Sequence, residues 1–350
     1  MFVDNVSNET CQLGSGAHDF QLAERCVLLA VLIVIIAVTL AGNTVVIISI
    51  ITCKQLHNFT NYFVMSLALS DLLVAILVMP FGTYNIWTNH TWGLGHVICK
   101  VATCFDVMLT TTSILHLSCV AMDRYLAICS PFYHERVTKP MVLVLIGFCW
   151  SVPLFISWLP IMNEWNVVGI EHHVRCRRLA SDDHICAFLV NIPFALICSS
   201  IAFYIPTIFM FVVNTKIFRE ARKQAMHIRS LEAAVSTNNR KIRCTKKLKH
   251  ETKAFKTLSI IMGCYCICWC PFFIINVIDP FVEYTLPYYA WAIATWLGYI
   301  NSTLNPFLYY SFNRLFRRAI QNTILCAKCR GKPDRFDSHH TLATTLSSSF

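Results

Sequence analysis

The sequence predicts an all-α membrane protein, a seven-transmembrane helix bundle with a short amphipathic eighth helix. Three observations carry this reading. Of 350 residues only 14% are charged and 56% are hydrophobic, with a mean hydropathy of +0.55, whereas a soluble domain carries about 25% charge. The apolar residues fall in blocks near 26–52, 60–86, 96–129, 140–161, 187–217, 255–279 and 286–310. Each is long enough to cross a hydrocarbon core of about 30 Å as a helix. Finally, Lys and Arg crowd the segment from Arg219 to Lys253 and the tail from Arg314 to Arg335, while the stretch before Cys26 holds only Arg25. Basic segments remain cytoplasmic. The chain is therefore expected to be a multi-pass plasma-membrane protein with an extracellular, glycosylated N-terminus (1–25), a bundle (26–310), and an amphipathic helix with a cytoplasmic tail (311–350).

The first apolar block is too long for a cleaved signal peptide and reads as an uncleaved anchor. The net charge of +10 belongs to the inner face, where membrane lipid is the natural partner and nucleic acid is not. Sequons at Asn5, Asn8 and Asn89 fall on expected outer segments. Of 18 cysteines, Cys11, Cys99, Cys176 and Cys186 lie clearly outside, where two bridges can pair in three ways. Cys99–Cys186, from the top of the third span to the loop before the fifth, together with Cys11–Cys176, is the favoured arrangement. Cys326 and Cys329 follow the basic, amphipathic stretch 312–324. They are candidates for palmitate on an inner-leaflet helix, with plain free thiols as the alternative.

An ionisable residue inside a bilayer costs about 2.5–3.5 kcal/mol on insertion scales and is a functional hypothesis by default. Asp106 lies seven residues after Cys99, roughly 10 Å deeper on a helix. No Lys or Arg in the outer half of another span is placed to neutralise it, so a ligand ammonium is its natural partner; hydroxyl partners or protonation are the alternative. Asp71, mid-span, could meet Ser113, Asn301, Ser302 and Asn305. Such oxygen-rich surroundings suit a sodium ion or a purely structural network. Arg124 follows Asp106 by 18 residues, roughly 27 Å along the helix. It sits at the inner mouth beside Asp123 and Tyr125, with Glu251 at the start of the sixth helix. Trp269, Phe272, Phe273, Trp291 and Tyr299 would surround the outer carboxylate as a cation-binding cage, or simply pack. Pro271 should kink the sixth span.

These residues resemble a pattern. Gly42-Asn43, Leu67-Ala68-Leu69-Ser70-Asp71, Asp123-Arg124-Tyr125, Trp150, Pro206, Cys268-Trp269-Cys270-Pro271 and Asn305-Pro306-Phe307-Leu308-Tyr309 occur in order along nearly the whole chain. The chain resembles the class A (rhodopsin-like) G-protein-coupled receptors. Through Asp106 and Tyr299 it is similar to their aminergic branch. Residues 155–162, 203–206, 260–264 and 296–302 look like serotonin type-4 receptors. The short tail and a Cys11–Cys176 bridge are similar to trace amine-associated receptors, and the reading leans slightly toward the latter. The resemblance implies a small amine held by Asp106, with Tyr299 bonded to it. Val107, Thr110, Ser199, Phe272, Phe273 and Asn276 would line the pocket, and Trp269 would pass the signal inward. It implies sodium at Asp71 and Ser113, and release of Arg124 from Glu251 as a stimulatory, cyclic-AMP-raising heterotrimeric G protein enters. Arrestin and receptor kinases are implied as further partners. One departure is Asn214: eight residues after Pro206 the family usually has a tyrosine that reaches toward Arg124 and Tyr309.

Other classes fit less well. No inverted repeat suggests a transporter, no repeated pore motif a channel. No lysine in 286–310 could hold retinal. No nucleophile–base set suggests an enzyme. A class A receptor for a peptide or lipid would not require Asp106. Acids for a second ligand cation would be Asp279 or Glu283, although a solvated loop position is the expectation for both.

Overall fold

The computed structural model describes residues 21–179, 185–234 and 260–325, and among these it is helical with no strands. Helix α1 spans Leu22–Thr52, and Glu24 closes a capping box with Gln21. Helix α2 starts at Phe59, where the Asn58 side chain accepts from the Asn61 amide at 2.9 Å. It runs to Leu77, is interrupted at Val78, and continues as Met79–Trp87. The interruption has a local cause: Pro80 offers no N–H and its ring crowds the carbonyl four residues back.

Helix α3, His96–Cys129, is the central element and packs on α2, on α4 (Lys139–Met162) and on α5 (192–234). Helix α5 begins at Ile192 and extends to Ala234 through a wide π turn at Ser200–Tyr204. That turn precedes Pro206, whose missing donor is accommodated by the loosened ladder. Helix α6 covers 260–278 and α7 is Tyr288–Phe312. Helix α8, Arg314–Ile324, is capped by the Asn313 side chain, which accepts from the Leu315 and Phe316 amides. It buries Phe316, Ala319 and Ile320 and packs on α1 and α7.

Helices α1 to α6 are long and apolar enough to cross a membrane among the described residues. Helix α7 completes the seven-helix bundle and is more polar, because Asn301, Ser302 and Asn305 are turned inward. The apolar side chains of α1 and α4 remain largely outward, as in Val34 at 60% and Val144 at 71% exposed, which suits a surface facing lipid rather than water. Inside, polar contacts tie helix to helix. Asn43 donates to the Ser302 carbonyl at 3.1 Å, Trp150 to the Ser66 hydroxyl at 2.9 Å, and Thr39 meets Thr303 at 2.6 Å.

The expected start of the fifth helix at 187 is corrected to Ile192. Residues 187–190 are apolar for another reason: Leu189 and Val190 are buried in a loop held by Asn166. Its side chain donates to the Leu189 carbonyl at 3.0 Å, and its carbonyl accepts from the Asn191 amide at 2.7 Å. A short loop helix at Glu171–Leu179 and a one-turn helix at Pro131–His134 were also not anticipated, being too brief for a periodic signal.

Candidate functional site

A cavity of about 220 Å³ opens at the end of the bundle where α3 begins. The Cys99–Cys186 disulfide, with Cα atoms 5.6 Å apart, pins the loop after α4 across it, so that Phe188 and Leu189 form part of its wall. Cys176 is also disulfide-bonded; Cys11, its expected partner, lies outside the described residues. So do Asn5, Asn8, Glu251, Cys326 and Cys329. Asn89 lies in the turn after α2 with a left-handed φ of 52°.

Asp106 projects from α3 into the cavity, and the Tyr299 hydroxyl of α7 donates to it at 2.8 Å. Among the described residues Asp106 has no cationic partner. Lys100, six residues above it on α3, is already engaged, with its ammonium 2.5 Å from Glu164. That contact holds the Glu164 carboxyl below its usual range. Val107 and Thr110 line the cavity on the α3 side, where the Thr110 hydroxyl donates back to the Asp106 carbonyl at 2.6 Å.

The α6 wall is aromatic. Trp269, Phe272 and Phe273 line it, with Phe272 edge-on to Phe273 at 5.2 Å and to Trp291 at 5.8 Å. Phe273 is stacked on Phe203 of α5 at 4.5 Å. Trp269 rests on a bare patch of α7. A Cβ at Gly298 would lie 2.6 Å from its ring, so only glycine permits that approach.

Ser199 is the exception among the expected pocket residues. It is fully buried but does not line the cavity; Cys198 and Ala202 of α5 do. Its hydroxyl accepts from the Asn276 amide at 3.0 Å, bracing α5 against α6. Asn276 does line the cavity, and its side-chain oxygen has no hydrogen-bond partner among the described residues.

Asp279 corrects the expectation of a solvated loop acid. It is 2% exposed and lines the cavity, accepting from the Trp291 indole at 3.2 Å and the Leu286 amide at 3.3 Å. Glu283 is exposed, as expected. The signal for Asp279 was present: Trp269, Phe272, Asn276 and Asp279 form a stripe at helical spacing. Arg177 of the loop helix also reaches the cavity, and nothing in the sequence pointed to it. Its guanidinium donates to the Tyr284 carbonyl at 2.8 Å. The Tyr284 hydroxyl, pushed up to about 12 by burial, donates to the Val190 carbonyl at 2.8 Å.

A second polar centre lies deeper. Asp71 is completely buried. Ser113 and Ser302 donate to one of its oxygens at 2.9 and 2.8 Å, and Asn305 donates to the other at 2.7 Å. Ser70 joins through Ser113 at 2.9 Å. Asn301 is buried nearby in sequence, and its amide nitrogen has no partner among the described residues.

At the opposite end of the bundle, Asp123 accepts from the Thr60 hydroxyl, and the His134 ring lies 3.3 Å from it. Both partners were missed, since each depends on a tertiary contact. Arg124 is half-buried and, among the described residues, in no ion pair. Tyr125 has the Lys216 ammonium 5.8 Å from its ring centroid. Pro306 is packed on Gly42 of α1, where an added Cβ would lie 2.9 Å from its ring. Asn214, on α5, donates to the Met262 sulfur at 3.1 Å. The Tyr309 hydroxyl is buried without a partner among the described residues.

Comparison with known proteins follows from this geometry. The family model described as 7 transmembrane receptor (rhodopsin family) matches residues 42–309. The chain is similar to 5-hydroxytryptamine receptor 4 of Homo sapiens, 42% identical over 89% of this chain and 83% of that protein. It is also similar to octopamine receptor beta-2R of Chilo suppressalis (41%, covering 87% and 80%) and to trace amine-associated receptor 1 of Macaca mulatta (38%, covering 91% and 93%).

The tight seat of Trp269 has a measurable consequence. Gly298→Ala must displace the indole, and overpacking of this kind costs about 1–3 kcal/mol. The purified protein should show a lowered thermal midpoint. Gly263→Ala, with open space around it on α6, should not.

Proposed function

The chain belongs to the rhodopsin family of seven-transmembrane receptors, and from that premise we propose that it is a receptor for a small protonated amine held by Asp106. The observation that carries the proposal is a carboxylate inside the bundle that has one hydroxyl donor and no cation among the described residues. A ligand ammonium would supply the missing charge and form a charge-assisted hydrogen bond where water is scarce. Trp269, Phe272 and Trp291 present ring faces for the same cation. Val107 and Thr110 shape the floor. The unpaired oxygen of Asn276 accepts from a hydroxyl or indole donor at the ligand's far end; Ser199 acts on the ligand through Asn276 rather than by contact. Receptors whose names specify serotonin, octopamine and trace amines, each similar along most of this chain, support the ligand class.

Signalling through the stimulatory G protein to cyclic AMP belongs to this proposal, with the N-terminus outside and the Arg124 end inside. Asp123, Arg124 and Tyr125 would receive the G protein, with Glu251 as Arg124's resting partner, and with arrestin and receptor kinases acting later. Glycans on Asn5, Asn8 and Asn89 and palmitate on Cys326 and Cys329 fit the same orientation. The decisive experiment is cyclic AMP in transfected cells with serotonin, phenylethylamines and aliphatic amines. Asp106→Ala should abolish the response at matched surface expression. A full response without Asp106 would remove the ammonium anchor and point to a non-amine ligand.

The Asp71 centre fits a sodium ion. It offers an anionic carboxylate and two hydroxyl oxygens, a set suited to a small hard cation, and has no protein cation among the described residues. Asp71, Ser113 and Ser302 would hold it, with Asn301 and Asn305 around them. Sodium in place of potassium should then raise the thermal midpoint of the ligand-free protein, and Asp71→Asn should remove the difference. Equal midpoints in both salts would argue for a purely structural network.

Asn214 bears on the switch. A longer phenolic side chain there would offer Tyr309 and Arg124 a partner they lack in the described structure. Asn214→Tyr should raise basal cyclic AMP at equal surface expression; unchanged basal signalling would count against that role.

A further inference from the structure

We propose that Arg177 is a built-in counter-ion for Asp279, and that it sets the cavity to accept a ligand bearing one cation while discriminating against diamines. This rests on the amine reading above and extends it to the outer half of the same cavity.

Among the described residues three charged side chains line the cavity: Asp106, Asp279 and Arg177. Two carboxylates and one guanidinium leave a single negative charge, which one ammonium balances. A diamine would bring two positive charges and leave an excess of one in a confined, poorly hydrated space. Without Arg177 the same cavity would hold two uncompensated acids and would suit a diamine.

The placement of Arg177 is specific. It reaches in from the loop helix Glu171–Leu179 and donates to the Tyr284 carbonyl at 2.8 Å. The Tyr284 amide donates to the Asp279 carbonyl at 3.0 Å. The guanidinium is thus fastened one residue contact from the Asp279 turn, lining the same cavity as the carboxylate without forming a close ion pair with it. Tyr284 is itself fixed, by the bond from its hydroxyl to the Val190 carbonyl and by the His173 ring at 4.9 Å. Glu283 and Tyr284 both take left-handed backbone angles, φ 55° and 59°. Non-glycine residues hold such angles only where surrounding contacts impose them.

Asp279 is held by two neutral donors, Trp291 and Leu286. A carboxylate has about four acceptor sites, so capacity remains for a cation. Arg177, held at the Tyr284 carbonyl beside this turn, would supply part of that positive charge without a ligand. Opposite charges in a partly dehydrated site influence one another strongly enough to alter affinity by about tenfold.

The test is a mutant cycle on the full chain: wild type, Arg177→Gln, Asp279→Asn and the double variant, with Arg177→Lys retaining the charge. The probes are α,ω-diaminoalkanes and the matching monoaminoalkanes, alongside phenylethylamine. They are read by cyclic AMP and, independently of any G protein, by thermal stabilisation of the purified protein. Wild type and Arg177→Lys should favour monoamines. Arg177→Gln should shift the diamine-to-monoamine ratio about tenfold toward diamines. Asp279→Asn alone should weaken monoamines, because Arg177 is then unbalanced, and the double variant should restore them. A wild type that prefers diamines, or an unchanged ratio in Arg177→Gln, overturns the inference while leaving Asp106 as the anchor. A gain in Arg177→Gln that persists after Asp279 is neutralised also overturns it. Wild-type silence to both series, with Asp106→Ala equally silent, would reject the amine reading and this inference together.

Discussion

A bilayer supplies no water to polar groups, so every donor, acceptor and charge within the bundle must find its partner in the protein or in a ligand. Helices answer this for the backbone. For the side chains the answer differs from site to site, and the differences describe what each part of the molecule does. Asp71 and Asp106 are both carboxylates within the bundle, yet their surroundings are unequal. Asp71 takes donors from two serines and an asparagine. Asp106 takes one tyrosine hydroxyl. A group with several fixed donors can belong to the architecture. One left with a single donor beside an open cavity calls for a cation from outside.

The same accounting explains why the cavity exists where it does. The disulfide from the top of α3 carries the outer loop over the bundle, and Asn166 holds the following extended residues in place. The interruption in α2 and the wide turn in α5 each lie beside a proline. Aromatic residues of α6 then line the space without filling it. The result is a small chamber with an acid on the α3 side and acceptors on the α6 side, walled by apolar and aromatic residues.

Much of this was legible in the sequence because the signals were local or strongly periodic. Apolar blocks gave the spans, and the boundaries of α3 at 96 and 129 match the structure. Depth along a helix put Asp106 in the outer half and Arg124 at the inner end. Facing was harder. Ser199 sits beside the π turn, where an ordinary helical count misassigns the face, and it braces Asn276 instead of lining the chamber. The partners of Asp123 were not visible because Thr60 and His134 come from other elements. Asp279 was mistaken for a solvated acid because it stands where α6 gives way to a 3-10 turn, although it continues the inward stripe of Trp269, Phe272 and Asn276. Arg177 was missed for a related reason: a basic, polar loop helix carries no sign of reaching inward, and its anchor, the Tyr284 carbonyl, is a tertiary contact.

The end of the bundle opposite the cavity shows the complementary case, in which incomplete pairing favours change. Asp123 is already engaged by Thr60 and His134, so its attraction for the neighbouring Arg124 is shared. The Tyr309 hydroxyl and the Asn214 side-chain oxygen are buried without hydrogen-bond partners among the described residues. Unsatisfied polar groups raise the free energy of the arrangement that contains them, by about 1–3 kcal/mol each. An arrangement that moved α5, α6 and α7 to pair these groups would recover part of that cost. The tight contacts of Gly42 with Pro306 and of Gly298 with Trp269 couple α7 to α1 and α6, so α7 cannot shift alone. A ligand that repositioned Trp269 from the chamber would therefore act on α7 through this close contact, and pairing of the unsatisfied groups would lower the resistance to such a movement.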